Sequence, residues 1–167
     1  MGKIDTVIIL DVDIVDFEKC WITKSIRGVA DFVLKINILK EGVHSGDSSG
    51  IVPSTFKIAN LLLDRLENLE TGEVNQFFQR NLPSDRYQEL YETAKDIGIG
   101  HFDSVRTVPG LQKVSPNPFE VLVNMGWKPT VTVAGMTGLP ECPRAGNLML
   151  PEIKLYVSMR LPPTFPQ

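Results

Sequence analysis

The stretch Ile153-Lys-Leu-Tyr-Val-Ser-Met-Arg-Leu161 alternates between apolar side chains and more polar ones. Side chains of a β-strand point in turn to opposite faces, so this pattern predicts a strand with one buried face and one open face. Phe32 to Lys40 has the same alternation and predicts a second strand. Strands that are apolar on one face only are typical of an antiparallel sheet covered by helices on one side. The sequence therefore predicts an α+β fold.

Shorter patterns predict the remaining elements. Thr6–Leu10 reads as a short buried strand, and Thr130–Ala134 as another. A Gly- and Ser-rich loop is expected over Gly42–Gly50. Helical spacing predicts three helices. The first has Pro53 in its first turn, apolar positions up to Leu69, and Gly72 as its stop. The second runs from Ser84 to Gly98, and the third is capped by Asn117 with Pro118 at its first position. The first and third helices are expected to pack on the sheet, with residues 73–115 as a mostly helical insertion.

Composition argues against several classes of partner. The 167 residues include 17 Lys and Arg and 20 Asp and Glu, a formal charge of −3. This balance gives no electrostatic reason to expect nucleic acid or an anionic membrane as partner. Two cysteines, Cys20 and Cys142, cannot form a disulfide framework, and they favour a reducing cytoplasm.

Three polar residues are candidates for a functional site. His44 lies at a predicted strand end among small residues, where a neutral imidazole can donate an N–H to a developing charge or can be a surface residue without a role. Arg160 is on the polar face of its strand, where its planar fork suits a carboxylate or is simply solvated. Asn147 follows a Pro- and Gly-rich loop, where a turn role is the usual interpretation.

Two other patterns are weaker. Gly46–Gly50 satisfies G-x-S-x-G, but the nucleophile elbow needs a strand directly before it and a later catalytic His, so a flexible loop is favoured. The later His101 has no polar group of side chains near it in the sequence. Asp11, Asp13 and Asp16 have no His, Cys and Glu partners that would complete a metal shell, which favours a solvated acidic connector.

Four motifs together resemble one family. They are Trp21–Gly28, Glu41–Ser54 with its His-Ser-Gly loop followed by Pro, Ala145–Asn147, and Ser158–Pro162. Their order and content are similar to those of the di-zinc metallopeptidase family of carnosine dipeptidases, cytosolic nonspecific dipeptidase, glutamate carboxypeptidases, aminoacylases and succinyl-diaminopimelate desuccinylase. The similarity is nearest to the dipeptidase-like branch.

The resemblance implies a domain organisation. The family has a catalytic domain with two zinc ions and an inserted lid, or dimerisation, domain with a ferredoxin-like antiparallel sheet and helices on one face. Residues 1–27 then correspond to the end of the catalytic domain and a hinge strand, 28–161 to the lid, and 162–167 to the return linker. The family's His-x-Asp, adjacent Glu pair and final His are absent, so this chain alone is expected to be inactive and without zinc.

The resemblance also implies residue roles. His44 matches the lid histidine that reaches the partner subunit of a homodimer and polarises the scissile carbonyl of a peptide. Arg160 matches the arginine that binds the substrate's free C-terminal carboxylate, and Asn147 matches a polar residue near that carboxylate. Asp11 matches an aspartate that ligates one zinc in the full-length parent. Gly42 departs from the family, since many relatives have an acidic residue there.

A different class of function stays open. The chain is also compatible with a stand-alone ferredoxin-like binding or regulatory module that has no chemistry of its own.

Overall fold

The computed structural model describes residues 2–9 and 15–166. Its strands are β1 (Gly28–Asn37), β2 (Val43–His44), β3 (Thr130–Thr137), β4 (Leu148–Met149) and β5 (Glu152–Leu161). Its α-helices are α1 (Ser45–Ser48), α2 (Thr55–Leu63), α3 (Ser84–Ile97) and α4 (Pro118–Gly126). Short 3-10 helices cover Gln76–Phe78, Ile99–Ser104 and Cys142–Arg144.

The chain divides into two compact units. The sheet unit comprises residues 27–81 and 127–167, and the helical unit comprises residues 1–26 and 82–126. None of the helices in the described part of the chain combines the length and the apolar character that a membrane span requires.

The sheet unit is built on β5. Its three-stranded sheet has the order β1-β5-β3, and both pairings are antiparallel. Ile153, Leu155 and Val157 of β5 are at most 1% exposed, so the predicted alternation of this strand is confirmed. Strand β1 begins and ends earlier than the expected Phe32–Lys40. Its bounds are those of the ten residues, Gly28–Asn37, that pair with the ten residues of β5.

Helix α2 covers one face of this sheet and closes the core. Ala59 is fully buried against the inward-facing residues of β1 and β5. The partly buried apolar residues packed around this core are Ala30, Leu34, Ile38, Ile58, Leu62, Leu63, Leu66, Phe78, Val131, Leu150 and Leu161. The α+β class with an antiparallel sheet is thus confirmed, and β1-α2-β3-β5 follows the order of the first four elements of a ferredoxin-like β-α-β-β-α-β motif.

The ends of α2 differ from the prediction. Ser54 is the N-cap and accepts the Phe56 N–H at 3.2 Å, so Pro53 precedes the helix instead of lying in its first turn. The helix ends at Leu63, well before Gly72. Beyond it, the side chain of Asp64 accepts the Leu69 N–H at 3.0 Å, and such local bonds compete with a continued helix.

Two other expectations of the sheet unit need correction. The expected loop Gly42–Gly50 contains β2, which pairs with β4, and the single helical turn α1. Strand β3 extends three residues beyond the expected Ala134, to Thr137, and its register with β5 shifts between Val133 and Gly135. This bulge bends an edge strand of the sheet.

The helical unit contains α3 and α4. Helix α3 begins and ends as predicted, with Gly98 at φ 68° as its C-cap. Asn117 caps α4 by accepting the Phe119 N–H at 2.9 Å. Helix α4 packs on α3, where the Phe119 ring lies 4.8 Å from that of Tyr87.

The strand expected over Thr6–Leu10 is wrong for the residues that the structure describes. Thr6–Ile9 are exposed and have no regular structure, and Leu10 lies outside the described residues. Strands form through hydrogen bonds to a neighbouring strand, and no described strand pairs with this segment.

Candidate functional site

His44 is held by the short β2–β4 ladder and by the helical turn that follows it. It is the last residue of β2, opposite Leu148, and the N-cap of α1. Its Nδ1 accepts the Gly46 N–H at 3.1 Å, which assigns the proton of the neutral imidazole to Nε2. The side chain is 60% exposed, so Nε2–H is available to a group outside the chain. The Asp47 carboxylate lies 3.8 Å from Nδ1, beyond hydrogen-bond distance.

Ser48 has a structural role in this turn. Its side chain is buried, and its Oγ donates to the His44 carbonyl at 2.9 Å. A nucleophilic serine needs a free hydroxyl at an exposed strand-to-helix turn. The G-x-S-x-G match is therefore part of the helical turn that follows His44; it is not a nucleophile elbow, and it is not the flexible loop that was expected. His101, in the helical unit, has its ring against that of Phe102 at 5.3 Å.

Asn147 is brought next to His44. Its backbone carbonyl accepts the Ser45 N–H at 2.9 Å, one residue after the histidine, and Asn147 itself is exposed. A Cβ on Gly42 would come within 2.8 Å of the Leu148 side chain. The glycine that departs from the family pattern thus makes room for the leucine that pairs with His44.

Arg160 lies at the far end of β5, on the open face of the sheet. It is exposed and stands between Val29 of β1 and Thr130 of β3. Arg27 is close enough for burial and the charge of Arg160 to lower the pKa of its guanidinium. Arg27 donates to the Lys128 carbonyl at 3.0 Å. This end of the sheet therefore presents two guanidinium groups.

Asp31 is the acidic neighbour of this cationic end. Ser158 and Tyr156, the hydroxyl residues that face it from β5, hold the pKa of Asp31 below its usual value, and Arg160 adds to the effect. The same interaction raises the pKa of Tyr156. Sequence reasoning missed both Arg27 and Asp31, because only the register of β1 on β5 brings them to Arg160.

The two halves of the candidate site lie at opposite ends of the sheet. Arg160 is opposite Val29, whereas Glu152 is opposite Asn37, next to the β2–β4 ladder. The run from Glu152 to Arg160 covers about 26 Å of strand. His44 and Asn147 are together, whereas Arg160 of the same chain lies at the other end of the sheet.

The described residues do not form a metal site. Within residues 2–9 and 15–166, no three His, Cys, Asp or Glu side chains are grouped so that they could hold a metal ion. Asp11, the expected zinc ligand, lies outside the described residues. The described residues therefore do not fit the zinc pair that the resemblance implies.

Comparison with known proteins identifies the fold. The dipeptidase Dug1p from Saccharomyces cerevisiae matches with a TM-score of 0.66 and 17% identity, over 86% of this chain and 30% of its own. Human carnosine dipeptidase 1 matches with a TM-score of 0.65 and 18% identity, over 89% of this chain and 32% of its own. An M20 family metallo-carboxypeptidase, Sso-CP2 from Sulfolobus solfataricus, matches with a TM-score of 0.65 and 14% identity, over 84% of this chain and 32% of its own.

Comparisons of the sequence alone find no relative. No protein-family model matches the chain, and no curated protein matches it. The chain spans about a third of the length of the structures that it resembles. The resemblance drawn from its motifs is thus confirmed at the level of the fold: this chain is folded like one part of two dipeptidases and an M20 metallo-carboxypeptidase.

Proposed function

We propose that the chain is the lid and dimerisation domain of a cytoplasmic, zinc-dependent exopeptidase that hydrolyses a peptide or amide with a free C-terminal carboxylate. The observation that carries the proposal is the orientation of His44. Its imidazole is fixed through Nδ1 by the Gly46 N–H and keeps Nε2–H free, beside Asn147. The described residues include no group that could hold a metal ion, so in this proposal the catalytic domain of a longer protein holds the zinc and the general base.

His44 acts on the scissile carbonyl. As that carbonyl becomes an oxyanion, it accepts the Nε2–H more strongly than the ground-state carbonyl does. A donor already fixed in this direction needs no reorganisation when the charge develops. Such a group accelerates the chemical step by about a hundredfold to a thousandfold.

Arg160 binds the substrate's terminal carboxylate. Its fork can donate two parallel hydrogen bonds to a carboxylate, and Arg27 raises the positive potential nearby. The carboxylate is present in both the ground state and the transition state. Arg160 therefore contributes mainly to substrate affinity.

The separation of the two ends supports action across a dimer. A single chain keeps Arg160 about 26 Å of strand away from the His44 end, which is more than a dipeptide spans. A complete site then combines Arg160 of one subunit with His44 and Asn147 of the other. A homodimer has two such composite sites related by its two-fold axis.

Subunit mixing in the longer protein tests this arrangement. Each of His44→Ala and Arg160→Ala alone should be nearly inactive at low substrate. After subunit exchange, the mixed dimer has one intact composite site, so about a quarter of the sites should recover. The pair His44→Ala and Asn147→Ala is the matched control and should not recover, because both side chains come from the same end of one subunit. Demonstrated exchange without recovery in the first pair would refute the proposal.

A further inference from the structure

The open face of the three-stranded sheet carries two acidic side chains whose charges are balanced differently. The carboxylate of Glu152 lies 2.7 Å from the ammonium of Lys35 and 3.3 Å from that of Lys154, so two cations neutralise it. Asp31 is exposed, and within residues 2–9 and 15–166 it has no ion pair of 4.0 Å or less. The described residues therefore leave the charge of Asp31 without a paired cation.

Asp31 also departs from what a strand usually contains. Aspartate is depleted from strands, where side chains that pack on a pleated surface are favoured. Its neighbours on the same face of β1 are Val29 and Val33, and Ser158 lies directly opposite it. The hydroxyl groups of Ser158 and Tyr156 favour the charged carboxylate and lower the pKa of Asp31. A residue that breaks a local rule without an evident structural gain is expected at a functional site.

The surface around Asp31 changes from cationic through apolar to acidic along β1. Arg160, opposite Val29, and Arg27, one residue before β1, provide the cationic end. Burial and the charge of Arg160 lower the pKa of Arg27, so the two guanidinium groups are near each other. Val29 is 50% exposed, and Asp31 is two residues further on, about 6.8 Å along the strand. Apolar surface thus separates the guanidinium groups from the carboxylate.

This order is complementary to one class of amino acid residue. A free carboxylate fits the guanidinium fork of Arg160. A lysine side chain has a flexible four-carbon stem that ends in an ammonium, so the stem can lie along Val29 while the charge reaches Asp31. The Cα atoms of diagonal positions such as those of Arg160 and Asp31 are about 7–8 Å apart. A long cationic side chain can bridge this separation, whereas the α-ammonium of a free amino acid is adjacent to its own carboxylate.

We propose that Asp31 determines specificity for the C-terminal side chain of the substrate, and that it selects peptides whose C-terminal residue has a long cationic side chain, lysine or arginine. The inference rests on the proposed function, because it takes Arg160 to bind the terminal carboxylate. Val29 contacts the methylene groups of that side chain, and Asp31 accepts hydrogen bonds from its charged end. An apolar side chain of the same length makes no such bond and leaves the carboxylate unpaired.

Two matched dipeptides test this specificity in the longer protein. Alanyl-lysine and alanyl-norleucine differ only in the terminal ammonium of the side chain. We expect kcat/KM to be at least about tenfold higher for alanyl-lysine. Asp31→Asn keeps the size of the side chain, and should remove this preference while leaving the value for alanyl-norleucine unchanged. Glu152→Gln, at the other acidic side chain of the same face, is the matched control and should keep the preference.

Charge reversal tests the assignment by a second route. Asp31→Lys should reverse the selectivity, so that alanyl-glutamate is cleaved about tenfold better than alanyl-lysine. Circular dichroism and thermal melting confirm that each variant is folded. A parent protein without a preference for lysine over norleucine, or a Glu152→Gln variant that loses it, would overturn the inference. So would an equal effect of Asp31→Asn on both dipeptides, because Asp31 would then act through Arg160 and not on the side chain of the substrate.

Binding to this chain separates the two proposals. Nα-acetyl-lysine and Nα-acetyl-norleucine represent the C-terminal residue alone, with its carboxylate and its amide. Amide ¹H–¹⁵N spectra should show larger shifts at Val29 and Asp31 with the lysine probe, and Asp31→Asn should abolish the difference. Such shifts without peptidase activity in the longer protein would remove the peptidase role and keep the subsite. Activity without a lysine preference would keep the peptidase role and remove the subsite, and neither shifts nor activity would remove both.

Discussion

The two ends of the β1–β5 ladder present their functional side chains by different means. At one end, Arg160 projects from the middle strand of a regular sheet, with its backbone held by β1 and β3. At the other end, His44 rests on a two-residue ladder and one helical turn, and its ring is fixed by the Gly46 N–H. The first position is set by the packing of the sheet unit, and the second by local hydrogen bonds.

This difference predicts how each end responds to change. A defect in the shared core should disturb both ends, because β5 runs between them. A change within residues 42–48 should alter His44 and leave Arg160 in place. The ends also differ in their candidate functional groups, since two guanidinium groups lie at one and an imidazole beside Asn147 at the other.

The largest effect is expected from the shared core. Leu155→Ala removes a side chain that is 1% exposed at the centre of β5, and should cost about 2–5 kcal/mol in the free energy of unfolding. Urea denaturation followed by circular dichroism measures this. Leu139→Ala, at a leucine that is 46% exposed, is the control and should change stability by less than about 0.5 kcal/mol. Equal losses for both leucines would contradict the core described above.

Much of this core could be predicted from the sequence. The alternation of Ile153–Leu161 and the caps of α3 and α4 are local signals that the fold obeys. The predictions of a strand over Thr6–Leu10 and of a first helix that continues to Gly72 were wrong where the structure describes these residues. A strand depends on a distant partner, and the end of α2 depends on side-chain bonds of Asp64 that compete with the helix.

The second largest effect is expected on the steady-state kinetics of the longer protein, where substitutions at the two ends should change different constants. His44→Ala should lower kcat by about a hundredfold with little change in KM, because it removes a donor used in the transition state. Arg160→Ala should raise KM by at least about tenfold, since it removes a charge-assisted bond to the bound carboxylate. Steady-state kinetics on one dipeptide distinguishes them. If the two variants showed the same split, the roles assigned to the two ends would be wrong.

A smaller effect tests the local scaffold of His44. A Cβ on Gly46 would lie 3.0 Å from Cε1 and Nδ1 of the imidazole, so Gly46→Ala should displace the ring and lower kcat by about tenfold. Gly146→Ala is the matched control, because a Cβ there meets nothing within 4 Å. The ¹⁵N shifts of His44 in this chain provide a readout besides activity. A ring that keeps its Nε2–H tautomer in Gly46→Ala, with full activity, would exclude the positioning role.

The site was only partly accessible to sequence reasoning. His44, Asn147 and Arg160 each lie in a motif, but the motifs give no distances between them. The neighbours Arg27 and Asp31 become visible only when the register of β1 on β5 is known. The division of the site into two ends is likewise a property of the ladder, which no single motif contains.

The smallest effect is expected on the pKa values of two carboxyl groups, Glu152 toward the His44 end of the sheet and Asp31 toward the Arg160 end. Lys35 and then Lys154 lower the pKa of Glu152, whereas Ser158 and Tyr156, neutral hydroxyl groups, do most to lower that of Asp31. Because both folded pKa values are depressed, each group stabilises the fold above its unfolded pKa, near 4, and loses this contribution as the pH falls through its folded pKa.

Salt screens the attraction between charges more than it weakens hydrogen bonds from hydroxyl groups, so added salt should raise the pKa of Glu152 more than that of Asp31. Carboxyl ¹³C titrations at low and high ionic strength measure both groups in one sample, and Asp31→Asn and Glu152→Gln assign the signals. An equal response to salt at the two positions would mean that charge, and not the hydroxyl groups of β5, controls Asp31 as well.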